Sequence, residues 1–268
     1  MLPFVAVIVV YVSMPVLLLS FALDRFLFPQ VDGGATHEDH VVDVPVATNR
    51  SIRVRRYGAS QQCVIFFPGQ HGGIAAYEHN LIPAIRQLGM AAYTLSYPGQ
   101  DGAQGRSSKA TLLQDVAVAI GAIGHETPCQ PSSAVFVGRS LGATVALYTA
   151  ERIHPKGILL DGVAPTMTTA IQAAVQRYVV TRPWSLLPLH SFIGNDFPLA
   201  PVIQSLRPIP VVIFQGVNDQ VAPFVNAQQA LSHLGNVQFL PVPNATHDNA
   251  YQVAAAMYSA KLMELAKR

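Results

Sequence analysis

Hydrophobic and polar positions along this chain follow two regimes. From Leu2 to Leu23 no residue is charged. At about 1.5 Å per residue, a helix of this length reaches across a bilayer core of roughly 30 Å. Pro15 is tolerated in such a helix, because neighbouring groups re-satisfy the backbone it frees. The first charges, Asp24 and Arg25, stand beside Phe26, Leu27, Phe28 and Pro29, a mixture suited to a membrane interface. The pattern predicts a single-pass N-terminal membrane anchor over residues 1–28. Ser20-Phe21-Ala22 also has the small-x-small form of a signal-peptide cleavage site, but no Lys or Arg precedes the apolar run. A retained anchor is the expectation.

Beyond a polar linker at 29–40 the pattern alternates between short apolar runs and amphipathic stretches. His37-Glu38-Asp39-His40 lacks the H-E-x-x-H spacing of a zinc helix and reads as solvated linker. Val41–Val46 and Ser51–Tyr57 alternate as two strands around a turn at Ala47-Thr48-Asn49. Continuous apolar runs predict buried strands at Gln62–Phe67, Met90–Ser96, Ala134–Val137, Gly157–Leu160, Pro210–Phe214 and Val237–Pro241. Helical spacing fills the intervals at Ala76–Leu88, Ala110–Ile123, Ala143–Ala150, Pro223–Leu234 and Ala250–Lys267. Strands alternating with helices predict an α/β domain over 41–268, with a mostly parallel sheet flanked by helices. The alternation breaks at about 164–206, which holds the sole tryptophan, Trp184, and several prolines; this is a cap insertion.

Composition narrows the field. Half of the 268 residues are hydrophobic and 12% are charged, which fits a large core and excludes disorder. Net charge is +2 with no basic cluster, so nucleic acid is not an expected partner. The two cysteines, Cys63 and Cys129, match no zinc spacing; they are either two buried thiols or one disulfide.

The candidate chemistry gathers at the ends of the predicted strands, where open α/β sheets place their sites. Gly138-Arg139-Ser140-Leu141-Gly142 is G-x-S-x-G between a strand and a helix, the context of a nucleophile elbow. Glycines two residues either side of Ser140 avoid a collision between strand end and helix start. Asp219 follows a later strand and His247 the last, so the order is Ser, Asp, His. A serine hydroxyl needs a base to become nucleophilic, and the base needs a carboxylate to hold its tautomer. Asp161, also at a strand end, is the alternative acid.

On these motifs, residues 41–268 resemble the α/β-hydrolase superfamily. The resemblance implies an α/β-hydrolase fold and a serine hydrolase that cleaves a carboxylic ester or thioester through an acyl-enzyme. Ser140, Asp219 and His247 would be catalytic, with no metal and no cofactor. Pro68-Gly69-Gln70 stands where these enzymes usually carry His-Gly-x, so the amides of Gln70 and Leu141 would form the oxyanion hole. His71 in the same loop and Trp184 are candidate pocket residues. Trp184, Leu186, Leu187, Leu189 and Phe192 favour an apolar acyl group on a small-molecule or lipid substrate. Tyr97-Pro98-Gly99, with Gly102 and Gly105, is similar to the Tyr-Arg-Gly loop of the membrane-anchored branch, which includes lysophospholipid hydrolases and acyl-protein thioesterases. That branch accounts for an anchor through residues 2–23. The resemblance also sets the strand of Cys63 beside the strand that follows Cys129, which implies a Cys63–Cys129 disulfide and an extracytoplasmic domain. Two rivals stay open: a peptidase or amidase on the same triad, and a non-catalytic homologue that binds a lipid or partner.

Overall fold

The structure is a computed structural model that describes residues 2–31, 33–71 and 73–268; Met1 of the expected anchor, Asp32 of the expected linker and Gly72 of the expected oxyanion loop lie outside the described residues. Eight strands form one sheet: β1 (His40–Ala47), β2 (Arg50–Tyr57), β3 (Cys63–Phe67), β4 (Ala91–Ser96), β5 (Val135–Arg139), β6 (Gly157–Asp161), β7 (Val211–Gly216) and β8 (Val237–Val242). Their spatial order is β1-β2-β4-β3-β5-β6-β7-β8. β1, β2 and β4 pair antiparallel, and every pair from β4 to β8 is parallel.

The central strands are apolar throughout because both faces of a parallel sheet are covered. Side chains alternate between two cores. Ile65, Phe67, Phe136, Ile158, Leu160 and Ile213 enter one. Val64, Phe66, Val137, Leu159, Val212 and Phe214 enter the other. β3 and β5 are direct neighbours, with Val64 opposite Val135. Cys63 and Cys129, both buried, are joined by a disulfide with Cα atoms 5.8 Å apart.

Two expected helices are each two. The run 76–88 divides into Ala75–Glu78 and Leu81–Gln87. Pro83 would clash with the carbonyl of His79 in one continuous helix. Asn80 restarts the chain as an N-cap, its side chain accepting from the Leu81 amide at 2.6 Å. The closing helix likewise pauses at Ala254 between Ala250–Val253 and Ala255–Lys267. The cap holds a helix at Met167–Gln176, a 3₁₀ turn at Arg182–Leu186, and short helices at His190–Ile193 and Leu199–Ser205. The N-terminal run is helical from Leu2 to Leu27, with a π turn at Leu18–Ala22.

Candidate active site

β5 ends at Arg139 and the next helix, Leu141–Ile153, starts one residue after Ser140. So sharp a reversal puts Ser140 at φ 53°, ψ −120°, a strained conformation for a residue with a side chain. The flanking glycines are obligatory. A Cβ on Gly138 would lie 2.6 Å from the Gly142 carbonyl oxygen, and one on Gly142 would run into the carbonyls of Phe67 and Pro68.

Ser140 Oγ lies 3.0 Å from His247 Nε2, and His247 Nδ1 lies 2.8 Å from Asp219 Oδ2. With Nδ1–H donating to the carboxylate, Nε2 is left to accept the serine proton. Asp219 is buried and its oxygens take four donors. Oδ1 accepts from the amides of Val221 at 2.8 Å and Ala222 at 2.7 Å. Oδ2 accepts from Gln215 Nε2 at 3.1 Å as well as from His247.

The 68–71 loop lies directly over Ser140: a Cβ on Gly69 would stand 3.3 Å from Ser140 Cβ. Gln70 is fixed by its neighbours. Its carbonyl accepts from Gln100 Nε2 at 2.9 Å, and its side chain donates to the Phe26 carbonyl of the N-terminal helix. Tyr97 Oη donates to the Pro68 carbonyl at 3.3 Å, and Asp101 Oδ2 accepts the Ile74 amide at 2.9 Å. The 97–105 loop therefore braces the loop of Gln70. Leu141 is the first helical residue, where an amide has no partner within the helix.

Asp161 is brought near but not into this relay. It is buried at the end of β6, beside β7; among the described residues no donor meets either oxygen at full hydrogen-bond geometry, and the Tyr251 backbone only tempers the rise in its pKa. Burial pushes its carboxyl up to about 7, against the pull of the nearby Arg139 and His247 charges. Arg139 Nε stands 3.8 Å from it.

Several residues of the site escaped the sequence reading. Arg139 donates to the His247 carbonyl at 2.7 Å and to Tyr77 Oη at 2.8 Å, and its guanidinium lies over the rings of Tyr77 and Tyr251. Gln215 bridges Asp219 to the Val163 amide. Gly162 leaves room for the imidazole: a Cβ there would lie 3.0 Å from His247 Cε1. The Asp-Gly pair at the end of β6 was the visible signal for this glycine. Of the expected pocket residues, His71 has an exposed side chain. Trp184 packs on Tyr11 of the N-terminal helix, ring centroids 5.5 Å apart. Leu186 does not line a pocket; it is 88% exposed on the cap, while Leu189 is buried in the main core.

Fold and strand-end geometry together define an α/β-hydrolase fold, and known structures share it. An esterase of Pyrococcus furiosus, Pf2001, superposes with a TM-score of 0.71 at 17% identity over 90% of this chain and 96% of its own. An α/β hydrolase of Vibrio vulnificus gives 0.70 at 16% identity over 84% and 80%. By sequence, the uncharacterized protein Rv2307c of Mycobacterium tuberculosis is 23% identical over 92% of this chain and 88% of its length. The uncharacterized protein YfhR of Escherichia coli is 24% identical over 70% and 63%. No family model matches the chain.

Proposed function

We propose that this chain is a membrane-associated serine hydrolase that cleaves a carboxylic ester or thioester with an apolar acyl group. The observation that carries the reading is the unbroken relay from Asp219 through His247 to Ser140, at 2.8 and 3.0 Å. Ser140 Oγ attacks the acyl carbon while His247 Nε2 takes its proton. The amides of Gln70 and Leu141 receive the oxyanion; each such donor contributes on the order of 3 kcal/mol to the transition state. His247 then protonates the leaving alcohol or thiol, and water releases the acyl group by the same steps. Asp219 holds the histidine tautomer and stabilises its charged form.

The finer assignment is to the lysophospholipase and acyl-thioesterase-like branch, organised as an anchor (1–28), a linker (29–40) and a hydrolase domain (41–268) with its cap at about 164–206. A helix over Val9–Leu27, long and apolar enough to span a membrane, supports the anchor expected through residues 2–23. The Cys63–Cys129 disulfide supports an extracytoplasmic domain, because such bonds persist in oxidising compartments. The esterase Pf2001 shows that this fold supports ester hydrolysis in a structural neighbour.

The test is labelling of the full-length protein in detergent with a fluorophosphonate, followed by peptide mass mapping. The expected adduct is on Ser140. Ser140→Ala should abolish it and cut ester turnover by roughly 10⁴-fold or more. Turnover retained in that variant overturns the reading.

A further inference from the structure

The N-terminal helix does not stand free of the domain. Tyr11, Pro15, Leu19, Leu23 and Leu27 recur every four residues, and all are buried or half-buried. Tyr11 donates to the Val180 carbonyl and stacks on Trp184 of the cap. Leu19 and Leu23 join the main core. Asp24 accepts the Lys109 amide at 3.0 Å, and Phe26 accepts from Gln70. At about 1.5 Å per residue, the docked face runs for roughly 24 Å. On a straight α-helix a four-residue row drifts around the axis by about 40° per step. The π turn at Leu18–Ala22 has a wider turn that offsets this drift, so the row stays on the domain.

The opposite face is apolar and open. Val9, Val10, Leu17, Leu18, Phe21 and Phe26 are exposed, Phe21 at 84%. The cap continues this surface next to Tyr11: Tyr178, Val179, Val180 and Leu186 are all exposed, Val179 at 80%. Arg177 and Arg182 flank that tip and are exposed. Aromatic and aliphatic side chains beside arginines have the composition of segments that rest at a lipid headgroup boundary.

A lone membrane-spanning helix has lipid on every side. This one holds protein along a single row from Tyr11 to Leu27, roughly 24 Å of its length, with its other faces open. We infer that the helix and the cap tip form one seating face, which lies in the plane of a phospholipid leaflet. The outer face of the helix and residues 178–186 enter the acyl boundary together, and Arg177 and Arg182 meet the phosphates. The domain then sits against the bilayer, with the Gln70 loop, bonded to Phe26, at the lipid side. A lipid acyl substrate would pass from the leaflet to Ser140 without crossing water. The inference deepens the proposed function and rests on its membrane association.

The chain's single tryptophan makes the test direct. Full-length protein is mixed with phosphatidylcholine–phosphatidylglycerol vesicles whose acyl chains are brominated. Quenching of Trp184 is expected with bromines near the headgroup. Val179→Glu combined with Leu186→Glu should lower vesicle partitioning at least tenfold, with turnover of a soluble short-chain ester unchanged. Binding without Trp184 quenching, or undiminished partitioning of the double variant, overturns the seating face and leaves the anchor and the hydrolase reading intact. Absence of binding by the wild-type chain overturns the membrane reading together with this inference. Loss of ester turnover in the wild-type chain would tell instead against the hydrolase chemistry, which the vesicle readout does not address.

Discussion

Two aspartates end neighbouring strands of the sheet, and they differ in almost everything but burial. Asp219 follows β7 and receives four hydrogen bonds from two amides, a glutamine and the imidazole. Asp161 ends β6 with only the weak help of the Tyr251 backbone, and burial raises its carboxyl to about 7. Both lie within electrostatic reach of His247, and Asp161 feels Asp219 as a like charge. Position at a strand end therefore does not decide which aspartate the imidazole meets. The choice is made by the donors that the following turn supplies, as is general where two carboxyl groups are given different tasks by their surroundings.

The sharpest way to break this comparison is Asp219→Asn. The side chain keeps its shape but favours the wrong histidine tautomer, and turnover of a soluble ester should fall by about 10⁴-fold with the fold retained by circular dichroism. Arg139→Met should come next. It releases the His247 carbonyl and leaves Asp161 without its neighbouring cation. A displaced imidazole is expected to cost roughly 10²-fold in turnover. Loss of the guanidinium's hydrogen bonds to the His247 carbonyl and Tyr77 should lower stability by about 1–3 kcal/mol in denaturant titration. Gln215→Leu makes Asp219 more like Asp161 by removing one of its donors and orphaning the Val163 amide. About 1–3 kcal/mol of stability and roughly tenfold in turnover should be lost.

Asp161→Asn has the smallest expected effect on turnover, within about threefold, since it removes no hydrogen bond of the relay. Its signature is in the pH dependence of stability. The folded chain holds the Asp161 proton up to about 7, whereas the ordinary value is 3.8. Between those values the native state binds more protons than the unfolded chain, so this group makes stability fall as pH rises, with no further change above about 7. Denaturation midpoints compared across that window should show the decline in the wild-type chain relative to the asparagine variant. A large loss of turnover in Asp161→Asn with a mild Asp219→Asn would reverse the two roles.

How much of this was legible follows from the range of each interaction. The strand alternation and the elbow are local patterns, so Ser140 and the surrounding G-x-S-x-G could be read directly. Asp219 and His247 were found by chain order at strand ends, which is local information combined with topology. Arg139, Gln215 and Gly162 were not found, because their roles exist only in contacts across the sheet: arginine to the last loop, glutamine to the turn after β6, and glycine under an imidazole 85 residues away in sequence. The break at Asn80 was present in the sequence as Pro83, but apolar spacing masked it. The cap misled because apolar composition cannot tell a residue facing inward, such as Leu189, from one facing outward, such as Leu186.

The disulfide joins residues 66 apart in the chain at the roots of β3 and β5. Those two strands lead into the Gln70 loop and Ser140 at their far ends, and their pairing is parallel and non-local. Pairings of that kind are slow to form, because a long loop must close before any contact repays the lost entropy. Once the cysteines are oxidised, the shortest covalent path between the two strands runs through sulfur, and the effective contact order of the central pairing falls to that of a short connection. The cross-link therefore bears on the speed of assembly as much as on endurance: the oxidised chain should register β3 and β5 faster on refolding than the reduced one.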